Sequence, residues 1–307
     1  MQQQKAKIEL TASMFIFGTI GVVRRLLPFP SLLVSEGRSL IGALFILLCM
    51  ALIRRRPDGK AIRRNILRLA ASGMCLGGNW YFLLESYQHT TVAIGTVCYY
   101  TAPVLILLLS PVFLKEKLTV RRLLCVAAAV AGVVLVSGLS GGEALPAENL
   151  QGVLYGLAAA CFYTALVFLN KKLKNISGLD RTLIQLAVAT AVLLPLVLLT
   201  EDVRALEWSG RNIGLLLLLG IVPTGVTYML YFGSLEYVPA QTAALLSYID
   251  PLVAVLSSAL ILREPMTTAG WFGTVLVLGS TMLGEALDRR VTVPAEARNG
   301  SGGSADS

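Results

Sequence analysis

A chain of 307 residues that is 55% hydrophobic and 14% charged, with a mean hydropathy of +0.72, is not built like a water-soluble domain, in which about 25% of residues are charged. Its net charge of +8 does not mark a nucleic-acid binder, because the basic residues fall in short clusters between apolar runs, as membrane loops do. The length suffices for roughly ten spans of about 20 residues each with short connections.

Ten apolar segments follow one another, at roughly 8–26, 31–53, 66–87, 91–113, 121–139, 150–170, 181–200, 212–236, 240–262 and 268–287. They are twice as long as a barrel strand needs and lack its period-two alternation, so they are read as helices. The first is no cleaved signal peptide, since it ends in Arg24-Arg25 without a small-residue cleavage site. Pro28 and Pro30 separate the first two spans, and RRRPDGK (54–60) ends the second. SGGEALPAEN (140–149) is the longest connector, and KKLKNISGLDR (171–181) follows the sixth span. The polar, Gly/Ser-rich stretch after Arg290 is expected to be disordered.

Residues 94–119, IGTVCYYTAPVLILLLSPVFLKEKLT, return 148 residues later within 241–267, QTAALLSYIDPLVAVLSSALILREPMT. Tyr100 falls on Tyr248, Pro103 on Pro251, Ser110 on Ser258, Leu114 on Leu262, Glu116 on Glu264 and Thr119 on Thr267. Apolar segments match easily, but Pro, Glu and Thr do not, so the pattern reads as a duplication. Five helices per copy is an odd number, which inverts the second copy in the membrane. The expected fold is therefore an all-α polytopic membrane protein, with ten transmembrane helices as two inverted five-helix repeats. Residues 1–139 form the first repeat, 140–149 an outer linker, 150–287 the second repeat and 288–307 a cytoplasmic tail. With the amino terminus inside, twenty of the 26 Lys and Arg residues fall in inward segments and five in outward ones, with Arg38 within a helix. Both termini are therefore expected in the cytoplasm of a cell, most simply at a bacterial inner membrane. Inverted repeats are the usual build of alternating-access transporters, with the site near the midplane.

Two blocks of five helices, with Pro103, Glu116, Leu118 and Thr119 in one and Pro251, Glu264, Met266 and Thr267 in the other, resemble the EamA family of the drug/metabolite transporter superfamily. The resemblance covers about residues 8–287. It places Gly132 and the Gly273/Gly279 pair where that family packs its fifth and tenth helices closely, and puts Arg38 at a basic position common in its second helix. It implies transport of a small solute, with amino acids, other metabolites, sugars and drugs among the substrates of its members. Pro265 after Glu264, and Cys125 where a glycine is expected, depart from the family pattern.

A charge at mid-membrane costs on the order of 2.5–3.5 kcal/mol and needs a reason. Asp250 lies about ten residues into the ninth span, and Pro251 behind it frees a carbonyl one turn earlier. Together they form a polar notch for a substrate ammonium or a proton, or else a carboxylate paired inside the bundle. Arg38 is roughly seven residues into its span, placed to hold a substrate carboxylate or a helix-end carbonyl. Glu36, two residues away, faces elsewhere. Asn79, Trp80, Tyr81, Tyr99, Tyr100, Tyr163, Tyr228 and Tyr248 form a polar-aromatic set suited to lining a cavity for an organic body or a cation. Tyr87, Tyr155 and Tyr237 are read as interfacial anchors. Gln185, Asn170 and Thr227 complete the polar candidates. Glu116, Glu264 and Glu85 are read as structural or gating groups at helix ends, and Pro103 and Pro251 as helix-shaping residues.

No metal site or cofactor is expected, because His89 is the sole histidine and the five cysteines show no paired spacing. No phosphate-binding loop is present, so ATP does not drive the chain directly. The reading is a secondary transporter or facilitator, not an enzyme, that exports amino acids or related amines as a monomer or homodimer. Its partners are the solute, the lipid bilayer and, where coupling exists, protons, with no nucleic acid. The alternatives are drug or organic-cation efflux by proton exchange, lipid flipping, an intramembrane enzyme and a non-transporting receptor.

Overall fold

Backbone that leaves water must satisfy its own hydrogen bonds, and each apolar segment does so as helix. The computed structural model describes residues 2–114, 120–137, 147–235, 237–238 and 240–291, and all regular structure among them is helical. In chain order the helices are α1 (Gln2–Gly18), α2 (Ile20–Arg25), α3 (Ser31–Leu52), α4 (Gly59–His89), α5 (Val92–Tyr99), α6 (Ala102–Leu114) and α7 (Val120–Ser137). There follow α8 (Ala147–Lys171), α9 (Gly178–Thr200), α10 (Gly210–Gly220), a π-helical turn (Ile221–Val226), α11 (Thr227–Leu235), α12 (Ala240–Ser247), α13 (Ile249–Leu260) and α14 (Thr268–Val291). The protein is thus an all-α protein of the membrane class. Among the described residues, six helical stretches are long and apolar enough to cross a bilayer: Gln2–Arg25, Ser31–Leu52, Val92–Phe113, Asn149–Lys171, Gly178–Thr200 and Gly210–Ser234. Three further apolar helices, Leu123–Val136, Ile249–Leu260 and Thr268–Ser280, are shorter.

Helix starts follow local chemistry. Asp58 accepts the backbone N–H groups of Lys60 and Ala61 at 3.0 and 3.1 Å, Thr91 accepts Ile94 N–H at 3.1 Å and Ser177 accepts Asp180 N–H at 3.1 Å, each quenching donors that the first turn leaves free. The spans read at 91–113 and 240–262 are broken, and the one at 212–236 passes through a π-helical turn without a gap. Tyr100–Thr101 separates α5 from α6, Tyr248 separates α12 from α13, and the π-helical turn contains Pro223. Pro103 and Pro251 sit in the first turn of α6 and α13, where a missing N–H costs nothing but where the preceding helix cannot continue. Asp250 is therefore not ten residues into a helix; it lies in the first turn of a short one. The first span breaks at Thr19, whose hydroxyl bonds back to Ile16 O at 2.7 Å between Gly18 and Gly21. At the other end, α14 runs four residues past the expected 287 to Val291, through the helix-forming run GEALDRR. Residues 147–149, read as linker, begin α8. Glu116, Leu118, Thr119, residues 140–146 and the tail beyond 291 lie outside the described residues.

α4 is the hub. It packs on α8 and α9, with α3 laid across α9 and α1 against α11 and α13. Leu84, Val92, Val197 and Leu219 centre one core cluster, and Ile46, Trp80 and Leu186 another. The outward faces of α3, α9 and α14 expose Leu44, Leu48, Leu198, Leu199, Phe272 and Val275, a surface in keeping with a lipid surround. α7 and α14 approach closely at two glycines. A Cβ on Gly273 would stand 2.5 Å from Gly132 O, and one on Gly132 2.8 Å from Gly273 O. Gly279, expected to share this seam, faces open space.

Gly273→Leu is expected to destabilise the protein by about 1–3 kcal/mol through overpacking, whereas Gly279→Leu leaves stability unchanged or slightly raised. Thermal unfolding in detergent checks this, and equal losses at both positions would contradict the assigned seam.

Candidate functional site

Between the broken helices lies a cavity of about 310 Å³. Its walls come from α1, α2, α3, α4, α5, α8, α9, α11, α12 and α13, and the side chains that reach it explain its character one by one. Arg38 of α3 is almost wholly buried and lies over the Trp80 ring, its guanidinium carbon 4.2 Å from the ring centroid. Its Nε donates to Thr224 Oγ1 at a long 3.4 Å, an oxygen carried in by the π-helical turn, where Thr224 also donates to Leu219 O at 2.9 Å. Opposite in charge, Asp250 lines the same cavity and accepts the Tyr100 hydroxyl at 2.7 Å. Its place in the first turn of α13 puts the carboxylate at the positive end of that helix. Gly18 makes this position possible, since a Cβ there would lie 2.6 Å from the Asp250 carbonyl oxygen.

The aromatic lining forms two groups of rings. Tyr99 meets Tyr100 and Tyr163 edge-on, with centroids 5.4 and 5.6 Å apart, and Tyr228 meets Phe17 edge-on at 5.5 Å and stacks on Phe232 at 5.9 Å. Asn79 lines the cavity but spends its amide on Ala159 O at 2.8 Å, clamping α4 to α8. Gln185 donates to Ser72 Oγ and Asn170 Oδ1, both at 2.7 Å, tying α9 to α4 and α8.

Of the residues singled out in the sequence, Asp250, Arg38, Asn79, Trp80, Tyr99, Tyr100, Tyr163 and Tyr228 meet at this cavity. Tyr81 does not. It turns to a separate hollow of about 390 Å³ together with Arg24, Glu85 and Glu201, because it falls one residue off the α4 face that carries Leu76, Trp80, Leu83 and Tyr87. Tyr248 lines a small pocket of about 160 Å³ beside Pro103, which shares Tyr99, Tyr100 and Tyr163 with the main cavity. Glu36 is buried away from Arg38 and accepts Ser39 Oγ at 3.0 Å. Glu85 sits 3.2 Å from His89 Nε2. Tyr87 is no interfacial anchor. It is buried, shares a 3.0 Å hydrogen bond with Thr96 and reaches the cavity. Tyr231, Ser247 and Arg181 also line it, and sequence reasoning used Arg181 only to orient the chain. The signals were present in the spacing: Arg181 and Gln185 are four apart on α9, and Trp80 and Tyr87 seven apart on α4.

Away from the cavity, Glu264 draws three elements together. It pairs with Arg25 of α2 at 2.8 Å, accepts Val92 N–H at the start of α5 at 2.8 Å and accepts Ser258 Oγ of α13 at 2.5 Å. Arg25 also donates to Thr90 O at 2.7 Å. The knot thus ties α2, α5 and α13 together.

A model of the EamA-like transporter family matches residues 7–138 and again 150–284. The chain is 31% identical over 254 residues to a Bacillus subtilis (strain 168) protein described as uncharacterized transporter YxxF, covering 83% of this chain and 81% of that one. It is 29% identical over 285 residues to an uncharacterized transporter of Archaeoglobus fulgidus (strain ATCC 49558 / DSM 4304 / JCM 9628 / NBRC 100126 / VC-16), covering 92% and 96%. A solved crystal structure aligns with 94% of this chain and 99% of its own length at a TM-score of 0.65 and 19% identity, a likeness of fold.

Glu264→Gln is expected to cost about 1.5–3 kcal/mol, the usual worth of hydrogen bonds to a charged group. Combined with Arg25→Gln, the losses should fall short of additive. Unfolding of the two single variants and the double variant in detergent tests this, and full additivity would contradict a shared knot.

Proposed function

The chain belongs to the EamA-like transporter family, and from that premise we propose that it is a secondary transporter or facilitator. It carries small metabolites across the cell membrane by alternating access, and its cargo is amino acids or related amines, moved outward. The observation that carries this reading is one cavity faced by both a guanidinium, Arg38, and a carboxylate, Asp250, with an aromatic wall between elements of the two matched stretches. Such a set suits a zwitterion: Asp250 takes the ammonium, Arg38 the carboxylate, and Trp80, Tyr99, Tyr100, Tyr163 and Tyr228 the body.

The ten-helix, inverted-repeat architecture belongs to the same proposal. Two points support it. The family model matches twice, and the helix breaks at Tyr100–Thr101 and at Tyr248 fall at positions related by the 148-residue repeat. Discontinuous helices meeting at a central site are what transporters of this kind use. On this reading both termini are cytoplasmic, the Glu264–Arg25 knot is the outer gate, and the cavity faces inward in the present state, ready to load for export. Glu116 is its proposed counterpart at the inner face. Neither covalent chemistry nor a cofactor enters the mechanism; protons enter only where Asp250 exchanges one. The transporter works in the bilayer as a monomer or homodimer.

Flux into proteoliposomes tests the reading, with labelled amino acids and organic cations under two imposed pH gradients. Wild type is expected to move an amino acid, and Asp250→Asn and Arg38→Gln each to lower that flux about tenfold or more, as loss of a charged hydrogen bond implies. Indifference to Asp250→Asn would remove it from the path. Movement of organic cations alone, against a proton gradient, would favour drug efflux over the amino-acid reading.

A further inference from the structure

A second unpaired guanidinium faces the same cavity. The other arginines that hold elements together in this fold show what a structural role looks like. Arg24 donates to Leu27 O and Ser31 Oγ at 2.9 and 2.8 Å. Arg25 holds Glu264 and Thr90 O, and Arg55 reaches Ser177 Oγ at 2.8 Å and Asp180 at 3.8 Å. Arg181 does none of this. Among the described residues its guanidinium joins no ion pair and makes no hydrogen bond. It lies over the Phe232 ring, 5.0 Å from the centroid, on the wall of the cavity. Asp180, its neighbour in sequence, is buried and committed to Arg55. Arg38 repeats the arrangement over the Trp80 ring, with the one long bond to Thr224. Stacking on a ring uses the face of a guanidinium and leaves the N–H edge, the part that forks onto a carboxylate, free to point elsewhere.

The cavity therefore presents two anion-seeking edges and one carboxylate. A ligand with one carboxylate and one ammonium would match Asp250 and one arginine, and leave the other guanidinium unpaired in a low-dielectric site, which is costly. From this geometry we infer that the cavity is built for an amino acid carrying a second anionic group. Its ammonium lies at Asp250, its α-carboxylate at Arg38 and its side-chain acid at Arg181. The inference rests on the proposal that this cavity is the transport site, and it adds net charge as the property selected there.

The test is a set of proteoliposome flux measurements with glutamate, leucine and lysine, for wild type, Arg181→Gln and Arg181→Lys. Wild type is expected to have a KM for glutamate at least tenfold below that for leucine, and to exclude lysine. Arg181→Gln should raise the glutamate KM about tenfold or more and erase most of the preference over leucine, and an unfolding temperature in detergent close to that of wild type shows that the variant is folded. Arg181→Lys, which keeps the charge and loses the fork, should recover part of the glutamate affinity. Leucine moved by wild type without any preference for glutamate, or glutamate and leucine lost in equal measure in Arg181→Gln, overturns the inference while leaving the amino-acid transporter standing. If wild type moves none of the three, both fall.

Discussion

A charge inside a membrane protein must meet a partner or face a cavity, because lipid offers it neither water nor counter-ion. Several charges in the described part of this molecule follow that constraint, while Glu36 is buried against Ser39 with one carboxylate oxygen unpaired. Arg25 is spent on Glu264, Arg55 on Asp180, and Arg24 on a carbonyl and a hydroxyl at the start of α3. These charges staple helices to one another. Three others, Arg38, Arg181 and Asp250, are turned to the single 310 Å³ hollow. Aromatic faces hold the two arginines, and one tyrosine hydroxyl holds the aspartate. The difference between used and unused charge is what supports this hollow as the proposed solute site.

Helix breaks make that hollow possible. A continuous helix presents only side chains, whereas a helix that ends and restarts presents its terminus. Pro103 and Pro251 enforce restarts after Tyr100–Thr101 and Tyr248, and Pro223 lies in the π-helical turn that brings Thr224 to Arg38. Gly18 lets α1 come against the Asp250 backbone, so the first residues of α13 are fixed from the side. The same proline thus interrupts a span and sets a carboxylate at the positive end of a helix.

Much of this was legible in the sequence. Asp250-Pro251 stood out because a carboxylate in an apolar run has no cheap explanation, and Tyr100 and Pro103 stood out because they recur 148 residues later. The helix breaks were not legible, since apolar composition continues across them and hydropathy does not register a lost hydrogen bond. Tyr81 was misplaced by one residue of helical phase, and Tyr87 by its nearness to a predicted helix end; the spacing of Trp80 and Tyr87 held the correct face. Arg181 was hidden by its neighbours. It ends a run of basic residues that orients the chain, and nothing local separates the one that turns inward along α9 from those that meet water.

The central claim is that one cavity, holding Arg38 and Asp250, opens to each side of the membrane in turn. A single cysteine at Ser247, on the cavity wall, in a background with Cys49, Cys75, Cys98, Cys125 and Cys161 replaced, reads this directly. A membrane-impermeant thiol reagent would be applied to right-side-out and inside-out vesicles with and without transported amino acid. The account predicts labelling from both sides, slowed by the amino acid. Labelling from one face alone under every condition would contradict it.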